Sequence, residues 1–541
     1  MIQTSMLFAL TLPPFVLAFI LNVNTYAVTP ANYISEIQKN ADVLHYYLKV
    51  DLDYENKNIN GEVIITAISA AEELNEFELN FYDNLKINEV KLNGLDTEFI
   101  RKQNRIFINS LTALRDTFFV TIKYEGTPKR AGLDGFVFGE VNGKPLIYNI
   151  SEPDFAPTWF PCDDDPADKA LLDIEITNDS QFVSASNGNL ISTKSEGTKK
   201  IYHWKTVYPI STYLIAVYSA PYTNYFDTYI SIDGEDSMKI DYYVLPEHLE
   251  KAKVDFAEHR EMLEIFSELF GEYPFIKEKY GVAEFLWNFG AMENQTITGI
   301  GYNFLGGNNF FRDTYSHELS HHWWGNSVGP KTWEDIWLNE GFASYSEALY
   351  LEKKFGRDAH NSLMTRKFHD SFRGTLYNPK NLFSETVYDK GAWVLFMLRN
   401  ETGDSTFFRI LRTYYDGYKY SNASTLDFKN ICEKVSGKNL DKFFDQWIYT
   451  GDENINCVYS FDVEEEGGIN VCKLKIEQVQ EKYLEFNFPL DIRIEYQDGS
   501  YELEHFRVEK RQQELLFNVY KKIKDIYLDP GNKLLGVFKK I

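Results

Sequence analysis

The pattern of apolar and polar positions changes character twice along the chain. From about residue 41 to 226, short runs alternate with a period of two, and Gly, Asn and Asp separate them. Such runs predict a mostly antiparallel β domain. Typical examples are residues 62–67, 106–108 and 118–123. From about residue 247 the apolar positions recur at helical spacing, which predicts helices that include residues 335–355 and 391–399.

Strand-like alternation returns in residues 456–541, for example at 484–490 and 491–496. A chain of 541 residues is too long for one hydrophobic core, so several domains are expected. The predicted fold class is a multidomain α+β protein. Its predicted units are an N-terminal antiparallel β domain at 28–236, which ends near a turn at 234–236, a mainly helical domain at 237–452, and a small C-terminal β-sandwich at 453–541.

The first 27 residues have the features of a targeting segment. Residues 6–21 are an uncharged apolar run, and a more polar stretch follows that ends at Ala27. This pattern predicts a signal peptide over residues 1–27 and an exported chain, periplasmic or secreted. No Lys or Arg precedes the run, which makes it an atypical signal peptide. An uncleaved membrane anchor is the less favoured alternative, because the run is shorter than the roughly 20 apolar residues of a spanning helix and Pro13-Pro14 would break such a helix in its middle. No other segment has membrane length, so the mature chain is expected to have no spanning segment.

Composition and charge restrict the classes of partner. The chain has 55 Lys plus Arg against 80 Asp plus Glu, a formal net charge of −25. Because phosphate backbones attract clustered Lys and Arg, nucleic acid is not an expected partner. There are four cysteines, and a Cys457–Cys472 disulfide or four buried thiols are both compatible with the sequence.

The strongest chemical signal is His-Glu-Leu-Ser-His at residues 317–321. On a helix, residues four apart share a face, so His317 and His321 can bind one cation. Catalytic zinc takes three protein ligands and keeps a position for water. Glu340, 19 residues after His321 at the start of a predicted helix, can be the third ligand, and Glu318 is placed to take a proton from the water. His322 lies about 140° round the helix from His317 and is interpreted as structural.

The wider sequence resembles the zinc aminopeptidases of the aminopeptidase N family, which also contains leukotriene hydrolase. The similar segments follow the family's order from about residue 133 to 450. They are residues 160–166 followed by Lys169 and Ala170, 290–294 (Gly-Ala-Met-Glu-Asn), 333–343, 388–392 (Tyr-Asp-Lys-Gly-Ala) and 443–447. Asp163 is a departure, because relatives usually carry Trp there, and we expect it to affect packing or surface only. The resemblance implies a thermolysin-like catalytic domain, in a short form without the family's large helical C-terminal domain.

The resemblance also implies roles for residues outside the histidine motif. Glu293 and Glu152 would bind the free α-ammonium group of a peptide, so that one residue is removed at a time. Tyr388 would donate a hydrogen bond to the oxyanion that forms at the scissile carbonyl. The other implied substrate-binding residues are Gly290 and Ala291, through their backbones, Met292, in the first side-chain pocket, and Asn294.

The function implied is that of a zinc-dependent aminopeptidase with one Zn²⁺ per chain and peptides with a free N-terminus as substrates. Three alternatives are weighed against it. A peptidase without exopeptidase restriction is disfavoured by Glu293 and Glu152. Epoxide hydrolysis, as in leukotriene hydrolase, is disfavoured because that relative has a helical C-terminal domain, whereas residues 456–541 of this chain alternate like strands. A catalytically silent peptide-binding ectodomain is disfavoured because the expected catalytic residues are all present.

Overall fold

The structure is a computed structural model that describes residues 34–541, except Phe289 and Gly467–Gly468. The predicted signal peptide, residues 1–27, lies outside the described residues. Within the described part of the chain, none of the helices is both long and apolar enough to cross a membrane.

The N-terminal region is built from strands, as the alternation predicts. The alternate residues Val63, Ile65 and Ala67 of one strand are fully buried, so that strand turns one face to the core. The strand bounds are β1 Ala41–Asp53, β2 Asn58–Ser69, β3 Glu73–Asn80, β4 Lys86–Leu92, β5 Leu95–Asp96, β6 Phe99–Lys102, β7 Arg105–Ala113, β8 Thr117–Gly126, β9 Gly135–Val141, β10 Lys144–Ile150, β11 Leu171–Asp179, β12 Val183–Ala185, β13 Asn189–Glu196, β14 Lys199–Lys205, β15 Tyr218–Ala220, β16 Thr223–Ile230 and β17 Ser237–Val244.

Three sheets hold most of these strands. The largest has eight strands in the order β13-β14-β11-β1-β2-β8-β4-β5, beside a four-stranded sheet β12-β15-β10-β9 and a three-stranded sheet β3-β7-β6. Pairing is antiparallel except between β1 and β11, where His45 lies opposite Leu171 in parallel register. The predicted antiparallel β domain is confirmed, with that one parallel pair added.

The middle of the chain combines helices with a mixed sheet. A five-stranded sheet has the order β16-β17-β18-β20-β19, and β17, β18 and β20 run parallel. The elements are β18 Lys279–Phe285, β19 Ala291–Met292, β20 Ile297–Gly301, β21 Val328–Pro330 and β22 Ser421–Ala423, with α1 Leu249–Asp255, α2 His259–Phe270, α3 Arg312–Ser320, α4 Trp337–Phe355, α5 Arg357–Arg366, α6 Gly391–Thr402, α7 Asp404–Tyr418, α8 Thr425–Ser436 and α9 Asp441–Phe444.

The predicted helices are present, with shifted ends. The helix expected at 335–355 begins at Trp337, and the one expected at 391–399 continues to Thr402. The helical pattern that begins at residue 247 is divided into α1 and α2 by a turn in which His259 N–H donates to Phe256 O. The turn at 234–236 joins β16 to β17 within one sheet. The domain boundary placed there, like the others, stays a prediction.

The C-terminal region forms two sheets, β27-β24-β23-β29 and β26-β25-β28. Phe506 and Phe517, from the two sheets, pack with ring centroids 5.7 Å apart, as expected for a sandwich. The strand predicted from residue 484 begins only at Phe488, because the backbone N–H and C=O of Phe486 bond the side chain of Gln478 and not a neighbouring strand. The strands are β23 Ile455–Glu466, β24 Ile469–Gln478, β25 Phe488–Tyr496, β26 Tyr501–Val508, β27 Gln512–Val519, β28 Ile523–Leu528 and β29 Gly536–Lys540.

All four cysteines are buried, free thiols. On the β23–β24 hairpin, Cys457 lies opposite Gln478, whereas Cys472 lies opposite Val463. The two cysteines are therefore about six residues out of register, a separation of roughly 20 Å along the strands. Of the two arrangements compatible with the sequence, the structure has the buried thiols.

Two sets of hydrogen bonds hold the β domain against the helical region. The buried Lys169 Nζ donates to the backbone carbonyls of Asn326, Ser327 and Ser421 at 2.8, 2.9 and 3.0 Å. Burial lowers the pKa of this lysine to about 7. Asn294 is fully buried, and its side chain accepts from Tyr218 Oη at 2.6 Å and donates to Leu214 O at 3.1 Å. These contacts join the β domain to the segments that precede and follow the histidine motif.

Asp163, the departure from the family pattern, is 3% exposed. Its side chain accepts from Gln38 Nε2 at 3.1 Å, and its backbone N–H donates to Tyr46 Oη at 3.0 Å. Burial raises the pKa of its carboxyl well above the ordinary value. This residue therefore contributes to packing, as expected.

Candidate metal centre and active site

His317, His321 and Glu340 converge as the motif predicts. Helix α3 ends at Ser320, but His321 keeps a helical backbone (φ −56°, ψ −23°), so the two imidazoles stay on one face. The two Nε2 atoms are 3.1 Å apart, and Glu340 Oε2 lies 3.3 Å from that of His317 and 3.4 Å from that of His321. Tetrahedral bonds of about 2.0–2.1 Å separate ligand atoms by about 3.3 Å. The donor set therefore fits one zinc ion.

The second nitrogen of each imidazole is also held. His317 Nδ1 lies 2.8 Å from Glu347 Oε1, and His321 Nδ1 lies 3.0 Å from Trp324 O. A proton on each Nδ1 is thus hydrogen-bonded, and each Nε2 is left to bind the metal. Burial acts to raise the pKa of the Glu340 carboxyl, but His321 and His317 hold it at about 2, so Glu340 stays ionised.

Glu318 lies beside the metal ligands and is 7% exposed. Among the described residues its Oε2 has no hydrogen-bond partner. Burial raises the pKa of Glu318 to about 8, against the opposing charges of His317 and His321. A carboxyl group with this pKa can accept a proton and return it near neutral pH.

Two further carboxylates, Glu152 and Glu293, face the same space. Both residues are buried, and within the described structure each has one carboxylate oxygen without a hydrogen-bond partner. Carboxylate oxygens of Glu152, Glu293 and Glu340 lie within 4.8 Å of one another. Burial raises the pKa of both Glu152 and Glu293, and nearby carboxylates add to the shift. The pair can accept hydrogen bonds from a cation such as an ammonium group.

Tyr388 lies in a π-helical turn, Thr386–Lys390, that precedes α6. Its ring stacks on that of His317, with centroids 5.8 Å apart and planes 11° apart. Burial and the charge of Glu340 raise the pKa of Tyr388 well above its ordinary value. The phenol is therefore neutral and can donate a hydrogen bond.

These residues surround a cavity of about 420 Å³. Gly290, Ala291, Met292 and Glu293 line it, together with the predicted ligands, Glu318, Tyr388 and Glu152. Asn294 does not: its side chain binds the β domain, so the structure does not bring this residue to the cavity. Its buried hydrogen bonds instead fix the stretch that carries Glu293.

His322 points away from the metal centre, as its position on the helix predicts. Its Nε2 accepts from Thr296 N–H at 3.1 Å, and its ring packs against Tyr273 and Tyr280. Burial lowers the pKa of His322 to about 3, so it is neutral. It connects α3 to the sheet.

The sequence interpretation missed Glu347, Lys367, Asp389 and His369, which form an ion-pair network beside the metal ligands. Glu347 had a signal: it lies seven residues, or two helical turns, after Glu340 and therefore on the same face of α4. Lys367 and His369 follow the end of α5 in irregular chain, where no periodicity indicates which way a side chain points.

A histidine pair, a glutamate ligand and an adjacent unpartnered glutamate in a cleft define the class of mononuclear zinc peptidases. Comparison with protein families narrows this class: residues 42–214 match the Peptidase M1 N-terminal domain, and residues 254–447 match the Peptidase family M1 domain. The chain belongs to the M1 peptidase family, whose metal is zinc.

Curated relatives include probable aminopeptidase 2 of Sulfurisphaera tokodaii, 29% identical over 429 residues, which are 74% of this chain and 53% of that protein. Leukotriene A-4 hydrolase of Xenopus laevis is 25% identical over 434 residues, 74% of this chain and 69% of that protein. Endoplasmic reticulum aminopeptidase 1 of Rattus norvegicus is 29% identical over 323 residues, 54% and 34% of the respective chains. The chain thus spans about half the length of the first of these relatives.

Solved structures share the fold. The M1 zinc metallopeptidase from Deinococcus radiodurans superimposes with a TM-score of 0.68 at 23% identity, over 76% of this chain and 93% of that one. Aminopeptidase A of Legionella pneumophila, in complex with aspartic acid, has a TM-score of 0.80 at 18% identity, over 94% of this chain and 60% of that one. At these identities the likeness concerns the fold alone.

The close approach of two glycines sets the distance between Glu340 and Tyr388. A Cβ on Gly391 would lie 2.7 Å from the Gly341 Cα, and one on Gly341 would lie 2.9 Å from the Gly391 Cα. Both neighbours are backbone atoms, so α4 and α6 would have to separate.

We expect Gly391→Ala to destabilise the protein by about 1–3 kcal/mol and to weaken zinc binding, because separating the helices moves Glu340. The control is Gly417→Ala in α7, where a Cβ meets nothing within 4 Å and alanine favours the helix. Thermal unfolding and competition for zinc with a chromogenic chelator measure both effects. If both variants behaved like the native chain, the close approach would not determine the site geometry.

Proposed function

We propose that this chain is a zinc-dependent aminopeptidase that removes N-terminal amino acids from peptides, with a role in peptide catabolism. The observation that carries the proposal is the pair of buried carboxylates, Glu152 and Glu293, beside the metal ligands. Each has an oxygen without a partner in the described structure. A free α-ammonium group would donate hydrogen bonds to both oxygens, whereas a blocked N-terminus would leave these buried oxygens without a partner.

The geometry gives the substrate a direction. Oxygens and nitrogens of Glu293, Glu318 and His321 lie within 4.8 Å of one another, so the amine end lies at the His321 end of α3. Asp313 and Thr314, one turn before His317, also line the cavity. We infer that the rest of the peptide extends along α3 towards these two residues, with its first peptide bond at the metal centre.

Bound zinc supplies a Lewis acid that polarises the scissile carbonyl and acidifies a water molecule. Glu318 accepts the proton of the attacking water and returns it to the leaving amine. Tyr388 donates a hydrogen bond to the carbonyl oxygen as it gains negative charge. Glu293 and Glu152 hold the ammonium group and thereby fix which bond is cleaved.

The main test uses amino-acid amides of a fluorogenic amine, each with a free or an N-acetylated amino group, and the chain without residues 1–27. We expect cleavage of the free-amine substrates only, lost on chelation and restored by zinc. Glu318→Gln abolishes turnover, because no group then accepts the proton of the water. Glu293→Gln lowers kcat/KM about 10–150-fold, the worth of one hydrogen bond to a charged group.

Glu268→Gln is the control, since Glu268 is exposed and pairs with Lys353 on the surface. Equal cleavage of free and acetylated substrates would contradict the roles of Glu293 and Glu152 and favour a peptidase without exopeptidase restriction. No cleavage by a folded, zinc-loaded chain would favour a silent peptide-binding protein or, if an epoxide substrate were hydrolysed, the epoxide hydrolase alternative.

We also propose that the chain is exported, periplasmic or secreted, after removal of residues 1–27. The uncharged run at 6–21 and the small residue at Ala27 support this. N-terminal sequencing of the protein from its native cells is expected to begin at Val28 in a membrane-free fraction. A chain that kept residues 1–27 and sedimented with membranes would support the anchor instead.

A further inference from the structure

A chain of alternating charges leads from the metal ligand His317 to the rim of the cavity. His317 Nδ1 lies 2.8 Å from Glu347 Oε1, and Lys367 Nζ lies 3.1 Å from Glu347 Oε2. Beyond the lysine, Asp389 Oδ1 lies 3.3 Å from the same Nζ, and Asp389 Oδ2 lies 2.9 Å from His369 Nε2.

Lys367 is the buried centre of this network. Its side chain is 13% exposed, and those of Glu347 and Asp389 are 9% and 20% exposed. Burial alone would lower the pKa of Lys367, but the charges of Glu347 and Asp389 raise it to about 12. The ammonium group therefore stays charged and compensates two carboxylates that would otherwise repel each other.

The two partners of Lys367 each touch a different part of the site. Glu347 holds the Nδ1 proton of His317, which leaves Nε2 for zinc. Asp389 is the neighbour of Tyr388 within the π-helical turn Thr386–Lys390. Lys367 itself is anchored, because its backbone carbonyl accepts from Trp393 Nε1 at 3.2 Å, on α6.

We propose that Lys367 is a positioning residue for two groups of the site. Through Glu347 it holds the imidazole of the zinc ligand His317 in place, and through Asp389 it holds the phenol of Tyr388. It lines the cavity but is not among the three metal ligands, and it acts on the site through these two carboxylates. The proposal rests on the proposed function for the role of Tyr388, whereas its effect on His317 concerns zinc binding and is independent of any substrate.

The test replaces the ammonium group with an uncharged chain of similar length. In Lys367→Met, we expect zinc affinity to fall about 10–100-fold, the usual cost of disturbing a group behind a metal ligand. With zinc saturating, kcat falls about 100-fold, since a displacement of about 1 Å costs this much. KM changes less than threefold, because Glu152 and Glu293 are untouched. Lys367→Arg, which keeps the charge, restores part of both losses.

The matched control is Lys354→Met. Lys354, on α4, is similarly buried, at 17% exposed, and it pairs with Glu258 and Glu261 at the start of α2. None of these three residues lines the cavity. We expect this variant to lose stability but to keep zinc affinity and kcat. Zinc affinity is measured by competition with a chromogenic chelator, kcat and KM with free-amine amides, and stability by thermal unfolding.

If Lys367→Met bound zinc as tightly as Lys354→Met, the proposal would be overturned, and Lys367 would be a structural contact only. A normal kcat at saturating zinc would overturn it too. If Lys367→Met did not fold, two other variants would test the two links separately: Glu347→Gln the link to His317, and Asp389→Asn the link to Tyr388. The first is then expected to lose zinc affinity and the second kcat, and native values in either variant contradict the proposal. An inactive native chain would refute the proposed function, while zinc affinity would still decide on Lys367.

Discussion

The cost of burying several carboxylates around one cavity is the constraint on which the site depends. Glu152, Glu293, Glu318, Glu340 and Glu347 surround one cavity and are 3–7% exposed. Two like charges 4 Å apart repel by about 4 kcal/mol at an effective dielectric constant of 20. The protein compensates part of this charge with Lys367 and leaves the rest to cations that it binds. Zinc is one such cation, and the ammonium group of a peptide is the other in the function that we propose.

Bringing these carboxylates together requires three parts of the chain to meet at fixed distances. Lys169 and Asn294 hold the β domain, and with it Glu152, against the helices. The contact between Gly341 and Gly391 then lets α4 and α6 approach closely enough for Glu340 and Tyr388 to share the metal centre. Neither the hydrogen bonds of Lys169 and Asn294 nor the glycine contact takes part in the reaction, yet both determine where the reactive side chains lie.

The sequence predicted what depends on local spacing. His317 and His321 could be found because one helix determines their separation, and Glu340 because it begins the next long helix. The hydrogen bonds of Asn294, which was predicted to bind substrate, could not be foreseen because its partners, Leu214 and Tyr218, lie about 80 residues away in sequence. The role of Lys367 could not be predicted for a similar reason, since its partners Glu347 and Asp389 lie on α4 and in a π-helical turn. The alternation at 484–490 predicted a strand, but Leu484 is exposed, and the backbone of the buried Phe486 bonds the side chain of Gln478 instead of a neighbouring strand.

The most direct test of the central claim is the thermal unfolding of the metal-free chain during titration with zinc. If the buried carboxylates need a cation, the unfolding temperature of the native chain and of Glu318→Gln rises and saturates at one zinc per chain, because only the folded state binds the ion. Glu340→Gln, which lacks a ligand, shows little rise at the same concentrations. An unfolding temperature that zinc leaves unchanged in the native chain, or raises equally in Glu340→Gln, would contradict the account.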